Sequence, residues 1–339
     1  MEYRNLGRTG LKVSRLIFGG PHIGETVDDA KARELVNAAL SVGINTFYTA
    51  DKYGEGRGEE ILGRAVKARR DDVVVMIKAG FRVGSAAFPV SPEEFRATQG
   101  TGEIDDDEMW RRGVAPTARG LSRKHVLKAV DDSLRRLGTD YIDVYVAHLW
   151  DPFTPIEETL GAMDTLVRQG KVRYLGCSQT ASWQLYRALW ASDVRGLARY
   201  ESVQAQFSML HRGAERDLLP AARAAEVSVI GSQSLAGNLL AGAYDRNSAI
   251  PSGPDRRLVH TRRDWSERTF ALVDRLSTIA AEGERTVAEL VQAWTLAQGG
   301  ITALNVGPNE PDEFEPHVRA VSRPLTRDEA SQIDSMLAA

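Results

Sequence analysis

Residues 141–176 read YIDVYVAHLWDPFTPIEETLGAMDTLVRQGKVRYLG, and this stretch decides the predicted fold. It begins and ends with short apolar runs that are typical of buried strands, at 141–147 and 172–176. The segment between them repeats apolar side chains at helical spacing, at Ile156, Leu160, Met163, Leu166 and Val167. The stretch therefore predicts a strand, a helix and a second strand, which is the unit that builds parallel sheets.

The same alternation of strand and helix patterns extends to both ends of the chain. Eight strands are predicted, at 15–18, 46–48, 73–78, 141–147, 172–176, 202–206, 227–231 and 302–306. Eight such units in 339 residues predict one domain, 1–339, with the fold of a (β/α)8 TIM barrel. An open doubly wound α/β sheet is the alternative, but no Gly-x-Gly-x-x-Gly motif follows an early strand, as its dinucleotide site would require.

Local signals predict how the barrel begins and where its helices start. Residues 3–6 and 11–13 predict an N-terminal β-hairpin, which we expect to close the bottom of the barrel. Thr154, Thr286 and Thr326 are each followed, three residues later, by a glutamate. This spacing is typical of a capping box, so we expect a helix to begin after each threonine.

Two predicted connections are longer than plain turns, at about 80–121 and 235–264. Both follow the carboxyl end of a strand, so we expect both on the face where barrel enzymes keep their active sites. The first contains the acidic run 105–108, but no histidine is near it and metal-ligand spacing is absent. We interpret this run as a solvated turn and predict no metal site.

Composition excludes several classes of protein. The chain has 43 Lys and Arg against 46 Asp and Glu, a net charge of -3, and 42% hydrophobic residues, which indicates an ordinary globular protein. Near-neutral charge predicts no nucleic acid partner and no membrane partner, and apolar runs long enough for a signal peptide or a membrane span are missing. The single cysteine, Cys177, predicts a cytoplasmic location. No pattern specifies an oligomeric state.

Three candidate catalytic residues lie at or just beyond the carboxyl ends of consecutive predicted strands. Tyr53 follows the second strand, Lys78 ends the third and His148 follows the fourth. Each residue alone could equally have a structural role. Together on one barrel face, they indicate a site that handles protons, with the tyrosine as the acid, the lysine lowering its pKa and the histidine donating to a substrate oxygen.

Four segments of the sequence resemble the aldo-keto reductase family. They are RNLGRTGLKVS at 4–14, GINTF at 43–47, RRLGTDYID at 135–143 and GKVRYLG at 170–176. The resemblance covers nearly the whole chain apart from the two long connections. It implies a (β/α)8 barrel and reversible hydride transfer, without a metal, between a nicotinamide cofactor, usually NADPH, and a carbonyl group.

The resemblance also implies the catalytic roles. Tyr53 matches the general acid of the family, Lys78 its partner and His148 the residue that orients the carbonyl. Tyr48 stands where the family has an aspartate that pairs with the lysine. We therefore expect a buried Lys78 without its usual carboxylate to tend toward neutrality. Asp51 lies nearby, beyond the strand end, and is a possible substitute.

The cofactor positions implied by the resemblance mix matches with departures. Ser178 matches a serine that contacts the nicotinamide carboxamide, Gln179 replaces an asparagine and Gln204 matches a glutamine. Ser232 replaces the aromatic residue that stacks on the nicotinamide, which removes about 1 kcal/mol of stacking. Leu235 and Gly237 match the loop that covers the pyrophosphate in the family. Gly307 and Asn309 lie where the family binds the 2′-phosphate.

Asn309 is uncharged where many relatives have a basic residue for the 2′-phosphate of NADPH. The expectation of NADP(H) therefore comes from the family, and NAD(H) remains an alternative. Candidate substrate contacts are His22, Trp110 and Trp150, on the active face. We expect the substrate to be a small polar carbonyl or sugar-like compound.

The three retained residues favour a carbonyl-reducing oxidoreductase. The departures at Tyr48, Ser232 and Asn309 fall on catalytic or cofactor positions, whereas the barrel motifs are intact. Two alternatives therefore stay open. One is an enzyme of the same fold with non-redox chemistry, such as a lyase, dehydratase or isomerase. The other is a non-catalytic module that binds a cofactor.

Overall fold

The computed structural model of the chain describes residues 1–81, 116–253, 255 and 257–338. Most of the predicted connection at 80–121, including Trp110, lies outside these residues.

Eight parallel strands close into a barrel, in the order β10-β3-β4-β5-β6-β7-β8-β9. They are β3 Leu16–Gly19, β4 Thr46–Ala50, β5 Val74–Ala79, β6 Ile142–Ala147, β7 Val172–Ser178, β8 Tyr200–Gln206, β9 Ser228–Ser232 and β10 Ile301–Val306. The barrel closes where β10 pairs with β3, with Leu304 opposite Leu16. The predicted (β/α)8 barrel is confirmed, and its strand ends differ from the prediction by at most two residues.

The predicted N-terminal hairpin is also confirmed, as the antiparallel strands β1 Tyr3–Asn5 and β2 Lys12–Ser14. The turn of this hairpin is tied to the amino-terminal end of β9, because the backbone N–H of Gly7 donates to Ser228 Oγ at 2.8 Å. Gly7 has φ +55°, and a Cβ there would meet the backbone of Glu201. The hairpin therefore covers the bottom of the barrel, opposite the face that carries the strand ends.

Helices surround the barrel. The described part of the chain contains α1 His22–Glu25, α2 Asp29–Ser41, α3 Arg57–Val66, α4 Arg123–Leu137, α5 Ile156–Arg168, α6 Ser182–Arg195, α7 Leu218–Ala224, α8 Leu258–Asp264, α9 Glu267–Glu282, α10 Val287–Ala297, α11 Phe314–Ser322 and α12 Arg327–Ala338. No helix within the described ranges combines the length and apolar character that crossing a membrane requires.

Two of the three predicted capping boxes form. Thr286 accepts from the backbone N–H of Glu289 at 3.2 Å, and the Thr326 hydroxyl accepts from the N–H of Glu329 at the same distance. The third capping box, at Thr154, does not form, although the predicted helix does begin after this threonine. Helix α5 begins at Ile156, and the Thr154 hydroxyl donates to Asp151 Oδ2 at 2.8 Å. A carboxylate three residues earlier thus engages the hydroxyl that would have capped the helix.

The predicted connection at 235–264 is only partly a loop. It contains a short 3-10 helix at Leu239–Ala241 and ends in α8. The Thr261 hydroxyl on α8 donates to the carbonyl oxygen of Gly237 at 2.9 Å. This contact folds the end of the connection back onto its beginning, over the carboxyl end of β9.

Two apolar layers stabilise the fold. The larger layer lies between strands and helices, and the smaller fills the barrel interior. Interior side chains come from alternate strand positions and from the hairpin, and they include Leu6, Val13, Ile17, Val74, Met76, Val144, Val146, Ile230 and Ala303. Because strand side chains alternate between two faces, this layer fixes which residues point inward at the top of the barrel.

Candidate active site

Strand alternation aims two of the candidate catalytic side chains into the barrel. Val74 and Met76 of β5 belong to the interior layer, and Lys78 is the next residue with that orientation. Val144 and Val146 of β6 likewise precede His148, which follows the strand. Lys78 is 3% exposed and His148 is 4% exposed. Both side chains therefore lie inside the mouth of the barrel, at the carboxyl ends of the strands, next to the apolar side chains that fill the barrel interior.

Tyr53 joins these two residues from the neighbouring strand. It begins a short 3-10 helix, Tyr53–Gly56, directly after β4, and is 8% exposed. Lys78 Nζ donates to Tyr53 Oη at 2.9 Å. The Tyr53 and His148 rings meet edge to face with centroids 6.0 Å apart. The three residues that the sequence singled out are therefore brought together in one buried cluster.

Tyr48 contacts Lys78 through its ring. Lys78 Nζ lies 4.7 Å from the centroid of the Tyr48 ring, which is within range of a cation-π interaction. Burial, assisted by the positive charge of Lys52, lowers the pKa of Lys78 to about 7. The lowered pKa agrees with the expectation that Lys78 tends toward neutrality.

Asp51 does not form an ion pair with Lys78 within the described part of the chain. Asp51 Oδ2 accepts from the backbone N–H groups of Gly80 at 3.1 Å and Phe81 at 3.4 Å. Burial, with the nearby charge of Glu59, raises the pKa of Asp51 to about 7. The Asp51 carboxylate therefore fixes the backbone that follows β5. It favours the charged form of Lys78 only through a longer-range electrostatic interaction.

His148 is held as a neutral imidazole. Burial, together with the positive charges of Lys78 and Lys52, lowers the pKa of His148 well below its usual range. The Phe81 ring packs edge to face against it at 4.9 Å. A neutral imidazole carries one N–H donor, which suits hydrogen bonding to a carbonyl oxygen.

The predicted cofactor residues lie on the next part of the barrel rim. Ser178, 2% exposed, ends β7 and lies opposite Gln204 of β8. The backbone N–H of Gln179 donates to the Gln204 carbonyl oxygen at 3.1 Å. Ser232 ends β9, and its hydroxyl donates to the carbonyl oxygen of Ala205 at 3.0 Å. Ser178, Gln204 and Ser232 therefore follow one another across three adjacent strands.

Backbone strain is concentrated on the same rim. Gln179, Gln233, Ala236 and Asn238 adopt φ values of +50°, +62°, +48° and +68°. Non-glycine residues adopt the left-handed region at a cost, and such residues cluster at functional sites. All four lie just beyond the carboxyl ends of β7 and β9, which indicates a site on this face.

Comparison with known proteins identifies the architecture. A sequence model described as the Aldo/keto reductase family matches residues 15–338. The chain belongs to the aldo/keto reductase family. Members of this family typically use the nicotinamide dinucleotides NAD(P)H.

Individual relatives cover nearly the whole chain. Versiconal hemiacetal acetate reductase from Aspergillus parasiticus is 32% identical, over 98% of this chain and 96% of that protein. The uncharacterized oxidoreductase YrpG from Bacillus subtilis is 32% identical, over 97% and 93%. A probable voltage-gated potassium channel subunit beta from Arabidopsis thaliana is 29% identical, over 98% and 96%. The relatives of this aldo/keto reductase thus include proteins named as enzymes and proteins named as channel subunits.

Two of the three predicted substrate residues, His22 and Trp150, lie within the described part of the chain. His22 is 1% exposed and lies against Gly307, whose Cβ would be 3.2 Å from His22 Cε1. Burial and the charge of Arg257 lower the pKa of His22 to about 3. Trp150 packs against Trp183 with ring centroids 5.7 Å apart. His22 therefore adjoins the predicted cofactor residue Gly307, directly after β10, and Trp150 lies beside α6.

Arg257 is a candidate that the sequence patterns did not reveal. It lies in the 235–264 connection, and its guanidinium donates to the Gly307 carbonyl oxygen at 2.7 Å and to Asn309 Oδ1 at 2.8 Å. It also pairs with Asp255 at 2.6 Å. A positive charge thus stands beside the uncharged Asn309. The only signal in the sequence was a basic residue in a connection expected on the active face.

An open cleft of about 420 Å³ leads outward from this arginine. Its lining residues are Thr26, Val27, Asp28, Lys31, Asp255, Arg257, Asn309 and Glu310. Lys31 Nζ pairs with Glu310 Oε2 at 2.5 Å. The two cationic side chains of the cleft, Lys31 and Arg257, are thus each paired with a carboxylate. The third carboxylate, that of Asp28, caps helix α2.

The donor groups along the rim fit a nicotinamide dinucleotide. Hydroxyl and amide groups of Ser178 and Gln204 lie at one end, and the guanidinium of Arg257 at the other. On β10, the side-chain nitrogen Nδ2 of Asn305 is buried and has no hydrogen-bond partner among the described residues. Such unsatisfied groups are costly in a protein interior and commonly mark a ligand-binding site.

A metal site receives no support from the described residues. They contain no group of three His, Cys, Asp or Glu side chains that could hold a metal ion. The run at 105–108 lies outside the described residues.

Proposed function

We propose that this aldo/keto reductase is an enzyme that interconverts a small carbonyl compound and its alcohol, using a nicotinamide dinucleotide. The observation that carries the proposal is the buried contact of 2.9 Å between Lys78 Nζ and Tyr53 Oη at the mouth of the barrel. We further propose that residues 1–339 form one domain and that the protein works in the cytoplasm.

The reaction needs a hydride and a proton. The bound nicotinamide would supply the hydride. The Tyr53 hydroxyl would donate the proton to the substrate oxygen, and the Lys78 ammonium would stabilise the phenolate that remains. His148, as a neutral N–H donor, would orient the same oxygen. Burial of all three side chains excludes water and strengthens these interactions.

The surroundings of this cluster are aromatic, and they add a second substrate class to the one expected from the sequence. Phe81 packs on His148, and Trp150 lies two residues farther along the chain. A small polar carbonyl or sugar-like compound remains the proposal. Aryl aldehydes belong in the test as well, because the two aromatic side chains offer flat apolar surfaces.

NADP(H) is the proposed cofactor. Asn309 provides no charge for a 2′-phosphate, but the guanidinium of Arg257 lies 2.8 Å from its side chain. Guanidinium groups bind phosphate in a forked geometry that lysine cannot reproduce. Asp255 competes for the same guanidinium, so we expect NADPH to be preferred over NADH only moderately.

Dinucleotide titration and a carbonyl panel test the proposed function. We expect NADPH and NADH to quench the tryptophan fluorescence of the purified protein. We also expect turnover of at least one aldose, small polar aldehyde or aryl aldehyde, or of a matching alcohol in reverse. A protein that binds neither dinucleotide and converts no member of the panel would remove the proposal.

Replacing Arg257 with methionine should weaken NADPH binding by about tenfold to a hundredfold, because a hydrogen bond to a charged group contributes about 1.5 to 3 kcal/mol. NADH lacks the 2′-phosphate, so its affinity should stay nearly unchanged. Arg262→Met is the matched control, since Arg262 is an exposed arginine on the adjacent helix α8. Equal losses for the two dinucleotides would contradict a phosphate-binding role and indicate a general disturbance of the connection.

Non-redox chemistry on the same fold is the second candidate. Ser232 favours it, because its hydroxyl is engaged with the Ala205 carbonyl oxygen and offers no stacking surface for a nicotinamide ring. Substrate conversion by a protein that binds no dinucleotide would select this candidate. Dinucleotide binding without any turnover would instead select a non-catalytic cofactor-binding module.

A further inference from the structure

The outer face of helix α6 exposes a row of large apolar side chains. Trp183, Trp190 and Val194 are 60%, 63% and 65% exposed, and Tyr186 is 45% exposed. Their spacings of three, four and seven residues place them on one side of the helix. The opposite side buries Leu185, Ala188, Leu189, Ala191 and Ser192 against the barrel. A surface helix normally presents polar residues to solvent, so this row departs from the usual pattern.

The row continues at its amino-terminal end. The Trp150 ring packs against the Trp183 ring, with centroids 5.7 Å apart. We call Trp183, Tyr186, Trp190 and Val194 the α6 stripe. A large aromatic side chain contributes about 150 to 250 Å² when fully buried, so the stripe exposes roughly 500 Å² of apolar surface. Patches of this size on a single molecule commonly mark an interaction site.

We propose that the α6 stripe is the contact surface of a weak homodimer of this chain. Two stripes facing each other would bury on the order of 1,000 Å², which is the lower end of what a specific protein interface requires. The stripe surface is thus large enough to hold two copies together transiently and too small for a permanent dimer.

The arrangement of side chains along α6 suits an antiparallel, two-fold pairing. The midpoint of the stripe falls between residues 188 and 189. A two-fold axis at this point sets Trp183 of each copy opposite Val194 of the other, and Arg187 opposite Trp190. The first contact is apolar, and the second is a cation-π pair. Because both copies use the same surface, the assembly closes at two.

Sedimentation velocity of the full chain tests this proposal, with protein concentrations from low to several hundred micromolar. We expect a reversible monomer and dimer equilibrium with a dissociation constant in the micromolar range. Trp190→Ser should weaken the dimer by at least about tenfold, since aromatic anchors dominate such interfaces. Ile250→Ser is the matched control, because Ile250 is 51% exposed and lies outside the stripe. Circular dichroism should show that both variants stay folded.

Cross-linking tests the pairing itself. In the double variant Trp183→Cys with Val194→Cys, oxidation should link two molecules, whereas each single variant should stay unlinked. The two positions are about 16 Å apart along one helix, which is too far for a disulfide within one molecule. Cys177 is buried and does not interfere.

Three results would overturn the proposal. The chain could stay monomeric at every concentration, or it could form a dimer that Trp190→Ser leaves unchanged. It could also bind phosphatidylcholine vesicles through the α6 stripe without self-association. A dimer that Trp190→Ser disrupts, but that the paired cysteines do not link, would overturn the antiparallel arrangement. None of these readouts depends on the proposed enzymatic activity.

Discussion

The Tyr53→Phe variant is expected to lose about 10²- to 10⁴-fold of the rate of carbonyl reduction, which is the usual contribution of a positioned general acid. The substitution removes only the hydroxyl that Lys78 Nζ contacts at 2.9 Å and keeps the ring that packs against His148. We therefore expect dinucleotide affinity to stay unchanged. Initial rates at saturating cofactor, together with fluorescence titration, measure the two effects separately.

Tyr141→Phe is the matched control for this variant. The Tyr141 hydroxyl donates to the exposed Asp71 at 3.0 Å. Both residues precede the strands that lead to the candidate active site, so they lie at the opposite end of the barrel, and removal of this hydroxyl should leave the rate unaltered. A Tyr53→Phe protein that kept the wild-type rate would exclude Tyr53 as the proton donor. A simultaneous loss of dinucleotide binding would instead assign Tyr53 a structural role.

The Tyr48→Asp variant is expected to reduce carbonyl compounds at least about tenfold faster than the wild type at alkaline pH. In the wild type, the pKa of Lys78 is lowered to about 7, so the ammonium is lost as pH rises through that value. The rate should then fall. A carboxylate at residue 48 favours the charged lysine and raises its pKa by about one to three units. The fall in rate should therefore move to higher pH by the same amount.

Tyr48→Phe separates the carboxylate from the loss of the hydroxyl. It keeps the aromatic ring under Lys78 Nζ, so its pH profile should resemble that of the wild type. Rate measurements across the neutral and alkaline range, with each variant, make the comparison. Identical profiles for the aspartate and phenylalanine variants would show that the charge of Lys78 does not control the reaction.

The sequence predicted the barrel well because its signals are local. Apolar runs such as 172–176 mark buried strands wherever they occur, and their alternation with helical patterns leaves few possible topologies. The same reasoning placed Lys78 and His148 at strand ends. Since all carboxyl ends of a parallel barrel meet on one face, residues remote in sequence were correctly expected to cluster with Tyr53.

Local signals failed where two neighbouring groups compete for one partner. Thr154 has the spacing of a capping box, but its hydroxyl bonds to Asp151. Asp51 was a possible partner for Lys78, but its carboxylate accepts from the backbone of Gly80 and Phe81. Each outcome depends on which partner the folded chain brings within hydrogen-bond distance, and a sequence pattern does not contain this information.

By itself, the sequence determined the eight strands, the hairpin below them and the row of catalytic candidates at the barrel mouth. Only the tertiary structure decided how the connections between strands and helices pack around the barrel mouth. It brought Arg257 to Asn309 across 52 positions, buried His22 against Gly307 and set the Tyr48 ring beneath Lys78. Strand and helix patterns arise from neighbours along the chain. Contacts between distant connections depend instead on packing and charge in three dimensions, and these supply the chemistry of the site.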